Sequence, residues 1–249
     1  MKKVVLILVA CLALTAAAQA ERILVDIGDP STGSGTGWNN FTALPHWYSA
    51  PGVLGDGEDT YMQQVGAGAL VDSTGAILPG AAFGVANIDD VRTGSGTATV
   101  YTAAGLTYPL TATEDIAQTV DATQGDITGP TTGFMGRFMI SGLTGSAYDV
   151  RVLSARDDGG TRLGYYQVNG GPIQACDSGN APALLLFAGV APAAVTCGQT
   201  NLTNAIEVDF WGAVGGTTDM NLIDLVAVPE PATMGLLILG GVMALRRRR

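Results

Sequence analysis

Positive charge is almost absent from the central part of this sequence. Residues 21–228 contain no lysine and only six arginines, against 21 aspartates and glutamates, so the region carries a formal charge of −15. A surface of this sign repels the phosphate backbone of nucleic acids, which argues against nucleic acid as a partner. It suits calcium, which prefers carboxylate and carbonyl oxygens. Charge that serves solubility alone is an equally good interpretation.

Histidine, the most frequent catalytic base in serine hydrolases, is almost absent. His46 is the only histidine, and there is neither a Gly-x-Ser-x-Gly nucleophile elbow nor a Lys-Ser/Thr phosphate loop. These absences argue against a serine hydrolase and against a phosphate-binding loop. A glycosidase needs only two carboxylates at a set distance, so the sequence leaves that class open.

Segments with helical periodicity are scarce between the two ends of the chain. The 35 glycines separate short apolar stretches, and many of them adjoin Ser, Thr, Asp or Asn, which is typical of strands joined by turns. Residues 206–210 alternate strictly, which predicts that Ile206, Val208 and Phe210 face inward. Some ten such strands predict an all-β domain over residues 21–228, a two-sheet, jelly-roll-like β-sandwich.

The first twenty residues have the pattern of a signal peptide. Two lysines precede an apolar run over residues 4–14, and Ala18 and Ala20 provide a small-x-small cleavage site. The mature chain is therefore expected to begin at Glu21. An uncleaved anchor helix and a lipoprotein signal are the alternatives.

Cysteine is rare in the expected mature chain. Cys176 and Cys197 alone remain after removal of residues 1–20. An oxidising compartment favours a disulfide between them, which would contribute about 3 kcal/mol in the chain-entropy description. Two free thiols are the alternative, and the spacing does not resemble a metal site.

The chain ends in a second segment with a targeting pattern, residues 229–249. A Pro-Glu-Pro breaker precedes an uncharged apolar run over residues 232–245, and a basic block follows. As a helix this run would span about 21 Å, short of a hydrocarbon core of about 30 Å, and the arginines predict a cytoplasmic end. The breaker and the basic block consist of Pro229, Glu230, Pro231, Arg246, Arg247, Arg248 and Arg249.

This tail resembles the PEP-CTERM sorting signal, from Val228 through the Pro-Glu-Pro motif and the apolar run to the arginines. The resemblance implies that a C-terminal helix holds the protein transiently in the inner membrane. It also implies cleavage near the motif by an exosortase-type enzyme, followed by delivery to the cell surface or the extracellular matrix. An ordinary single-span anchor is the alternative.

A second resemblance rests on a series of short motifs in the mature region. Their order is similar to that in a family of exported planctomycete and verrucomicrobial proteins, which resemble galactose-binding-like jelly rolls. The resemblance implies binding of carbohydrate or a surface polymer, and the segment between the two cysteines is extra to the family pattern. The motifs are residues 23–28, 38–40, 70–75, 140–143, 148–150, 154–156, 166–170 and 221–224.

Aromatic side chains near polar groups are the candidates for contact with sugars. His46, Trp47 and Tyr48 lie in a segment flanked by prolines, which predicts a loop, and they form the candidate carbohydrate platform. The alternative is that Trp47 or Tyr48 closes one end of the sandwich. Trp38 and Trp211 lie beside or within strand patterns and are expected in the core.

Two acidic loops are candidates for calcium binding. Asp56, Glu58 and Asp59 form the first, and Asp157 and Asp158 the second. Neither has the spacing of an EF-hand loop, so solvated turns are the alternative.

The sequence and its resemblances together predict an exported, non-catalytic protein of the cell surface or exopolysaccharide that binds carbohydrate. Its expected partners are the processing enzyme and an extracellular polysaccharide. A glycosidase-like enzyme and a purely structural coat protein are the two alternatives.

Overall fold

The structure is a computed structural model. It describes residues 21–27, 34–41, 70–86, 90–92, 96, 100–114, 116–119, 124–132, 135–156, 160–179, 181–197, 200–214, 216 and 218–229. Across these ranges the chain forms eighteen β-strands, one 3₁₀ turn at Leu110–Ala112 and no α-helix. The predicted all-β class is therefore confirmed. The signal segment and the C-terminal apolar segment lie outside the described residues.

The first of two large sheets, sheet 1, holds both the first and the last strand of the domain. Its neighbouring strands pair antiparallel, except for the two at one edge, Arg22–Ile27 and Trp38–Phe41, which pair parallel. In spatial order the strands are β14 (Ala183–Val190), β11 (Tyr148–Ser154), β18 (Leu222–Ala227), β1 (Arg22–Ile27) and β2 (Trp38–Phe41).

The second large sheet, sheet 2, is built around a long strand that bends. That strand, Thr200–Ala213, pairs with one set of strands along its second half and with a hairpin partner along its first half. The main strands, in spatial order, are β13 (Gln174–Asp177), β12 (Leu163–Val168), β16 (Thr200–Ala213), β10 (Gly136–Ser141) and β3 (Ala82–Ala86). Three further strands join them: β15 (Ala193–Cys197), β8 (Gln124–Asp126) and β9 (Gly129–Thr132).

The hydrophobic core lies between sheets 1 and 2. Alternation along the strands brings one face of each sheet inward, as the sequence predicts for Ile206, Val208 and Phe210, which are buried. Phe210 stacks on Phe138 and on Tyr166, with ring centroids 5.8 and 6.2 Å apart. The chain passes repeatedly between the sheets, from β10 to β11 to β12 and from β14 to β16 to β18, so the core is made of contacts distant in sequence.

The outer face of sheet 1 is covered by a two-stranded sheet, β5 (Tyr101–Ala103) with β6 (Leu106–Tyr108), and by the 3₁₀ turn. Tyr108, Ala112 and Leu222 form a second, smaller hydrophobic cluster there, and Trp38 packs against it. A further small sheet packs instead against the central core through Ala117 and Met220; its strands are β17 (Thr218–Met220), β7 (Ile116–Thr119) and β4 (Asp90–Arg92). Trp38 thus packs outside the central core, although the sequence predicted a core position.

One carboxylate under this cover is fully buried. Asp224 on β18 accepts two hydrogen bonds from Arg22, at 2.8 and 2.9 Å, and one from the Tyr108 hydroxyl at 2.9 Å. Arg151 lies 3.6 Å away on the other side. Desolvation and the neighbouring carboxylate raise the pKa of Tyr108, and the hydrogen bonds to Asp224 raise that of Arg22.

Three asparagines of the short sequence motifs join separate parts of the backbone. The Asn39 side chain bonds to the carbonyls of Leu24 and Val71 and accepts from the Val71 amide. Asn221 accepts from the Ala155 amide and donates to the Thr113 carbonyl. The third, Asn169, is described with the site below. These motif residues therefore provide hydrogen-bond partners for buried backbone amides and carbonyls, which is a structural role.

A buried polar network closes the opposite end of the sandwich from Val228. The Tyr166 hydroxyl lies 2.7 Å from the Ser154 hydroxyl and 2.9 Å from that of Thr218, and it donates to the Asp219 carbonyl. Arg156 forms an ion pair with Asp219 at 3.3 Å. Burial raises the pKa of Tyr166 well above its ordinary value.

The two ends of the described chain leave the domain side by side. β1 and β18 pair antiparallel, and the Ala227 amide donates to the Glu21 carbonyl at 2.7 Å. The Glu21 carboxylate accepts from Thr144 at 2.6 Å and from the Tyr148 hydroxyl at 3.2 Å. Backbone hydrogen bonding continues to Val228, so Pro229 follows the ordered sandwich directly.

The predicted disulfide between Cys176 and Cys197 is absent from this structure, in which Cys176 is a free thiol. Strand registers explain the difference. Cys176 lies opposite Gly164, which pairs with Gly212 near the end of β16, whereas Cys197 pairs with Thr200 at the start of β16. Gly212 lies twelve positions after Thr200 along β16. The part from the bend at Asn204 to Gly212 alone spans roughly 26 Å at about 3.3 Å per residue, so the two cysteines lie toward opposite ends of this strand, beyond the reach of a disulfide.

Candidate functional site

The candidate site lies on the outer face of sheet 2. Arg137 on β10 is directly opposite Asp209 on β16, and Glu207 lies two residues earlier on the same face. The Arg137 Nε donates to Asp209 Oδ1 at 2.7 Å and lies 3.3 Å from Glu207 Oε2. Arg137, Glu207 and Asn169 line a cleft of about 240 Å³, whose wall is the β15 segment 193–196, and the buried Asp209 lies beneath it.

Asn169 fixes the shape of the cleft by joining the end of β12 to β16 and to the connection between β14 and β15. Its side chain donates to the carbonyls of Ala191 at 2.9 Å and Ala205 at 3.2 Å, and it accepts from the Glu207 amide at 2.7 Å. The φ angles of Asn169 and Gly170 are 46° and 65°. Two consecutive positive values are those of a type I′ hairpin turn, which explains the Asn-Gly sequence.

Two hairpins rise on either side of this face. At one side β16 bends at Asn204, whose φ is 50°, so that β15 and the first half of β16 fold over Met139 and bury Leu202 and Ala205. At the other side the β8–β9 hairpin covers Trp211, whose Nε1 donates to the Asp126 carbonyl at 3.3 Å. The predicted burial of Trp211 is confirmed, although it is buried beneath a hairpin and outside the central core.

The side chains of the cleft suit recognition of hydroxyl groups. Carboxylates accept hydrogen bonds, guanidinium and amide groups donate them, and Thr196 can do both. With one arginine and two carboxylates the group carries a net charge of −1, so it favours a neutral or cationic ligand over an acidic one. Arg137 lies between Glu207 and Asp209 and forms an ion pair with each. Neither carboxyl group is therefore free to act as the general acid or the base of glycoside hydrolysis.

Most of the residues singled out from the sequence fall outside the described residues, so the structure tests none of their roles. Of the rest, Glu21, Cys176, Cys197 and Pro229 have the positions given above, and none of them lines the cleft. Outside the described residues are Ala18, Ala20, His46, Trp47, Tyr48, Asp56, Glu58, Asp59, Asp157, Asp158, Glu230, Pro231, Arg246, Arg247, Arg248 and Arg249.

Sequence reasoning did not find the cleft residues as a group. Arg137, Asn169 and Glu207 lie on three strands that become neighbours only through sheet pairing. The Asn169-Gly170 turn was the one visible signal. The strict alternation over residues 206–210 also implied that Glu207 and Asp209 share the outer face. Two carboxylates on one face predict a neighbouring cation, and Arg137 was one of only six candidates in residues 21–228.

In the ranges that the structure describes, no helix is long and apolar enough to cross a membrane. In the same ranges no three His, Cys, Asp or Glu side chains are grouped so that they could hold a metal ion.

Comparison with known proteins finds no matching family and no matching curated protein. Among solved structures, the chain is similar to an exo-β-1,3-galactanase from Phanerochaete chrysosporium (17% identity, TM-score 0.26), covering 55% of this chain and 29% of the enzyme. It is similar to β-glucuronidase 2 from Bacteroides uniformis (10%, TM-score 0.39), covering 84% and 18%. A third is a family 35 carbohydrate-binding module from Clostridium thermocellum (14%, TM-score 0.23), covering 45% and 91%. These neighbours are carbohydrate-active or carbohydrate-binding proteins, and the chain spans less than a third of either enzyme.

Proposed function

We propose that this protein is an exported, non-catalytic β-sandwich that binds neutral polysaccharide in the cleft formed by Arg137, Asn169, Thr196 and Glu207. The observation that carries the proposal is the grouping of hydrogen-bond donors and acceptors around an open cleft beside the β15 segment. A pair of sugar hydroxyls can donate to the Glu207 carboxylate and accept from Arg137 in one such cleft.

Binding of purified protein to a glycan array, followed by calorimetry on the best ligand, tests this function. Glu207→Gln keeps the size of the side chain and removes its charge, so we expect at least tenfold weaker binding. Glu114→Gln is the matched control, because Glu114 follows the 3₁₀ turn on the outer face of sheet 1, away from the cleft on sheet 2. Equal affinity of both variants would reject the cleft as the binding site.

The same experiments distinguish the two alternative functions. Release of reducing ends from the host exopolysaccharide would indicate a glycosidase, and the bridging position of Arg137 between Glu207 and Asp209 argues against it. Failure to bind any glycan, with no release of sugar, would leave a structural coat protein.

We also propose that residues 229–249 direct the protein through the inner membrane to the cell surface or matrix, with cleavage by an exosortase-type enzyme. Support comes from the position of Pro229, which directly follows the last hydrogen-bonded residue, Val228. Cleavage beyond Val228 therefore removes no described strand. Mass spectrometry of the mature surface protein tests this, and an intact C-terminus through Arg249 would contradict it.

A further inference from the structure

β14 is the longest exposed sheet edge in the described part of the chain. It has eight residues and pairs with β11 alone among the described strands. The other edges are shorter: β2 and β13 have four residues each, and β3 has five. A long edge offers a row of main-chain donors and acceptors to another strand.

The outward hydrogen-bonding groups of β14 can be assigned. The Gln174 side chain donates to the Leu186 carbonyl at 2.7 Å, so the main chain of Leu186 faces away from β11. Because the N–H and C=O of one residue point to the same side of a strand and successive residues alternate, Leu184 also faces outward. A second strand could therefore pair with these residues once the Gln174 amide moves aside.

An apolar cleft adjoins this edge. Its volume is about 380 Å³, and it is lined by Val168, Pro172, Leu186, Phe187 and Val190 among others. Leu186 is 47% exposed, unusually high for a leucine in a strand of this fold. Recognition by strand addition combines an open edge with pockets for alternate side chains, and β14 has both.

Charge favours this region as a meeting point between two copies of the chain. Residues 178–206 contain no charged side chain, although residues 21–228 as a whole carry −15. Two copies repel each other elsewhere on their surfaces, and approach along the uncharged segment costs least. Exposed edges are commonly protected by lysine or by inward charges, and β14 has neither, being bounded only by Pro182 and Pro192.

We propose that β14 is a self-association edge, at which a second copy of this chain adds its own β14 in antiparallel orientation. Two identical strands paired antiparallel are related by a two-fold axis, so each edge satisfies the other. Sheet 1 then continues across the axis as one ten-stranded sheet, and Leu186 becomes covered in both copies. This inference is independent of the proposed ligand cleft.

The test is the mass of the full chain in detergent under reducing conditions, measured by sedimentation velocity over a hundredfold range of concentration. We expect a dimer that dissociates on dilution. Leu186→Lys places like charges beside the two-fold axis and should weaken dimerisation at least tenfold. Ile77→Lys is the matched control, because Ile77 is 66% exposed on a separate turn, and it should leave the dimer unchanged.

Hydrogen exchange provides a readout that needs no variant and remains decisive if Leu186→Lys does not fold. The amides of Leu184 and Leu186 should exchange more slowly at high protein concentration than at low concentration. A single-chain mass at every concentration would overturn the proposal. A dimer that forms without protection of these amides, or that Leu186→Lys leaves unchanged, would also overturn it.

Discussion

The two outer faces of the sandwich carry the same chemical group in different surroundings. On sheet 1, Arg22 binds Asp224 beneath the β5–β6 hairpin, and the Asp224 carboxylate is 0% exposed although Arg22 itself is partly exposed. On sheet 2, Arg137 binds the buried Asp209 and also Glu207, whose side chain is 14% exposed and lines an open cleft. The two groups therefore differ in their carboxylates: Asp224 is fully enclosed and structural, whereas Glu207 is accessible to a ligand.

Removal of the carboxylate on each face should separate these two roles. Asp224→Ala leaves Arg22 and the Tyr108 hydroxyl without their acceptor and Arg151 without its counter-ion, and removing one partner of a buried ion pair costs about 3–5 kcal/mol. Glu207→Ala leaves Arg137 hydrogen-bonded to Asp209 at 2.7 Å, so no charge loses its only partner and the loss should be smaller, about 1 kcal/mol. Urea denaturation measures both, and equal losses would contradict the distinction between the faces.

Removal of the Tyr108 hydroxyl is a smaller change on the covered face than removal of the Asp224 carboxylate. Tyr108→Phe removes one hydrogen bond to a charged group, which is worth about 1.5–3 kcal/mol. Tyr101→Phe on the neighbouring strand is the control, because its hydroxyl lies 3.5 Å from the Pro182 carbonyl and a contact that long contributes little. If both variants unfold at the same urea concentration, the Tyr108 hydrogen bond contributes nothing to stability.

Alkaline pH should destabilise the protein through groups that folding keeps protonated. Burial raises the pKa of Tyr148 to about 12 and that of Cys176 to about 11. The native state then binds more protons than the unfolded state at high pH, so the free energy of unfolding falls as the pH rises above the ordinary values of about 9 to 10. Denaturation between pH 8 and pH 11 measures this loss, and constant stability over that range would contradict it.

The Cys176 thiol itself should react slowly. Its ordinary pKa is 9.0, and desolvation raises it to about 11, so the thiolate fraction near pH 8 is about a hundredfold lower than in the unfolded chain. Alkylation followed by mass spectrometry gives the rate at Cys176 in native and denatured protein. Equal rates would show that the thiol is not desolvated, and protection that disappears on reduction would reveal a disulfide.

The sequence predicted the all-β class and several strands because local alternation determines them. Ile206, Val208 and Phe210 face the core as their spacing indicates. The disulfide prediction was wrong for this structure because it used compartment and number of cysteines, whereas the register along β16 determines the distance. Registers join residues that are far apart in sequence, and a single sequence contains no direct signal of them.

The candidate site was harder to predict for the same reason. Arg137 and Asp209 become neighbours through the pairing of β10 with β16. The aromatic platform at His46, Trp47 and Tyr48 lies outside the described residues, so it stays a prediction. Asn169 was visible in the sequence as part of a turn, but its three side-chain hydrogen bonds to the backbone depend on the tertiary structure.

The place of β18 in the middle of sheet 1 affects when the domain can fold. Arg22 and Asp224 are 202 positions apart, and β18 lies between β11 and β1. Contacts of such long sequence separation slow folding, and under the export proposed above β18 is the last described strand to emerge. A molecule that stalls before residue 222 keeps the edges of β1 and β11 unpaired and accessible to proteases. Under that proposal, completion of sheet 1 distinguishes a fully translocated chain from a partial one.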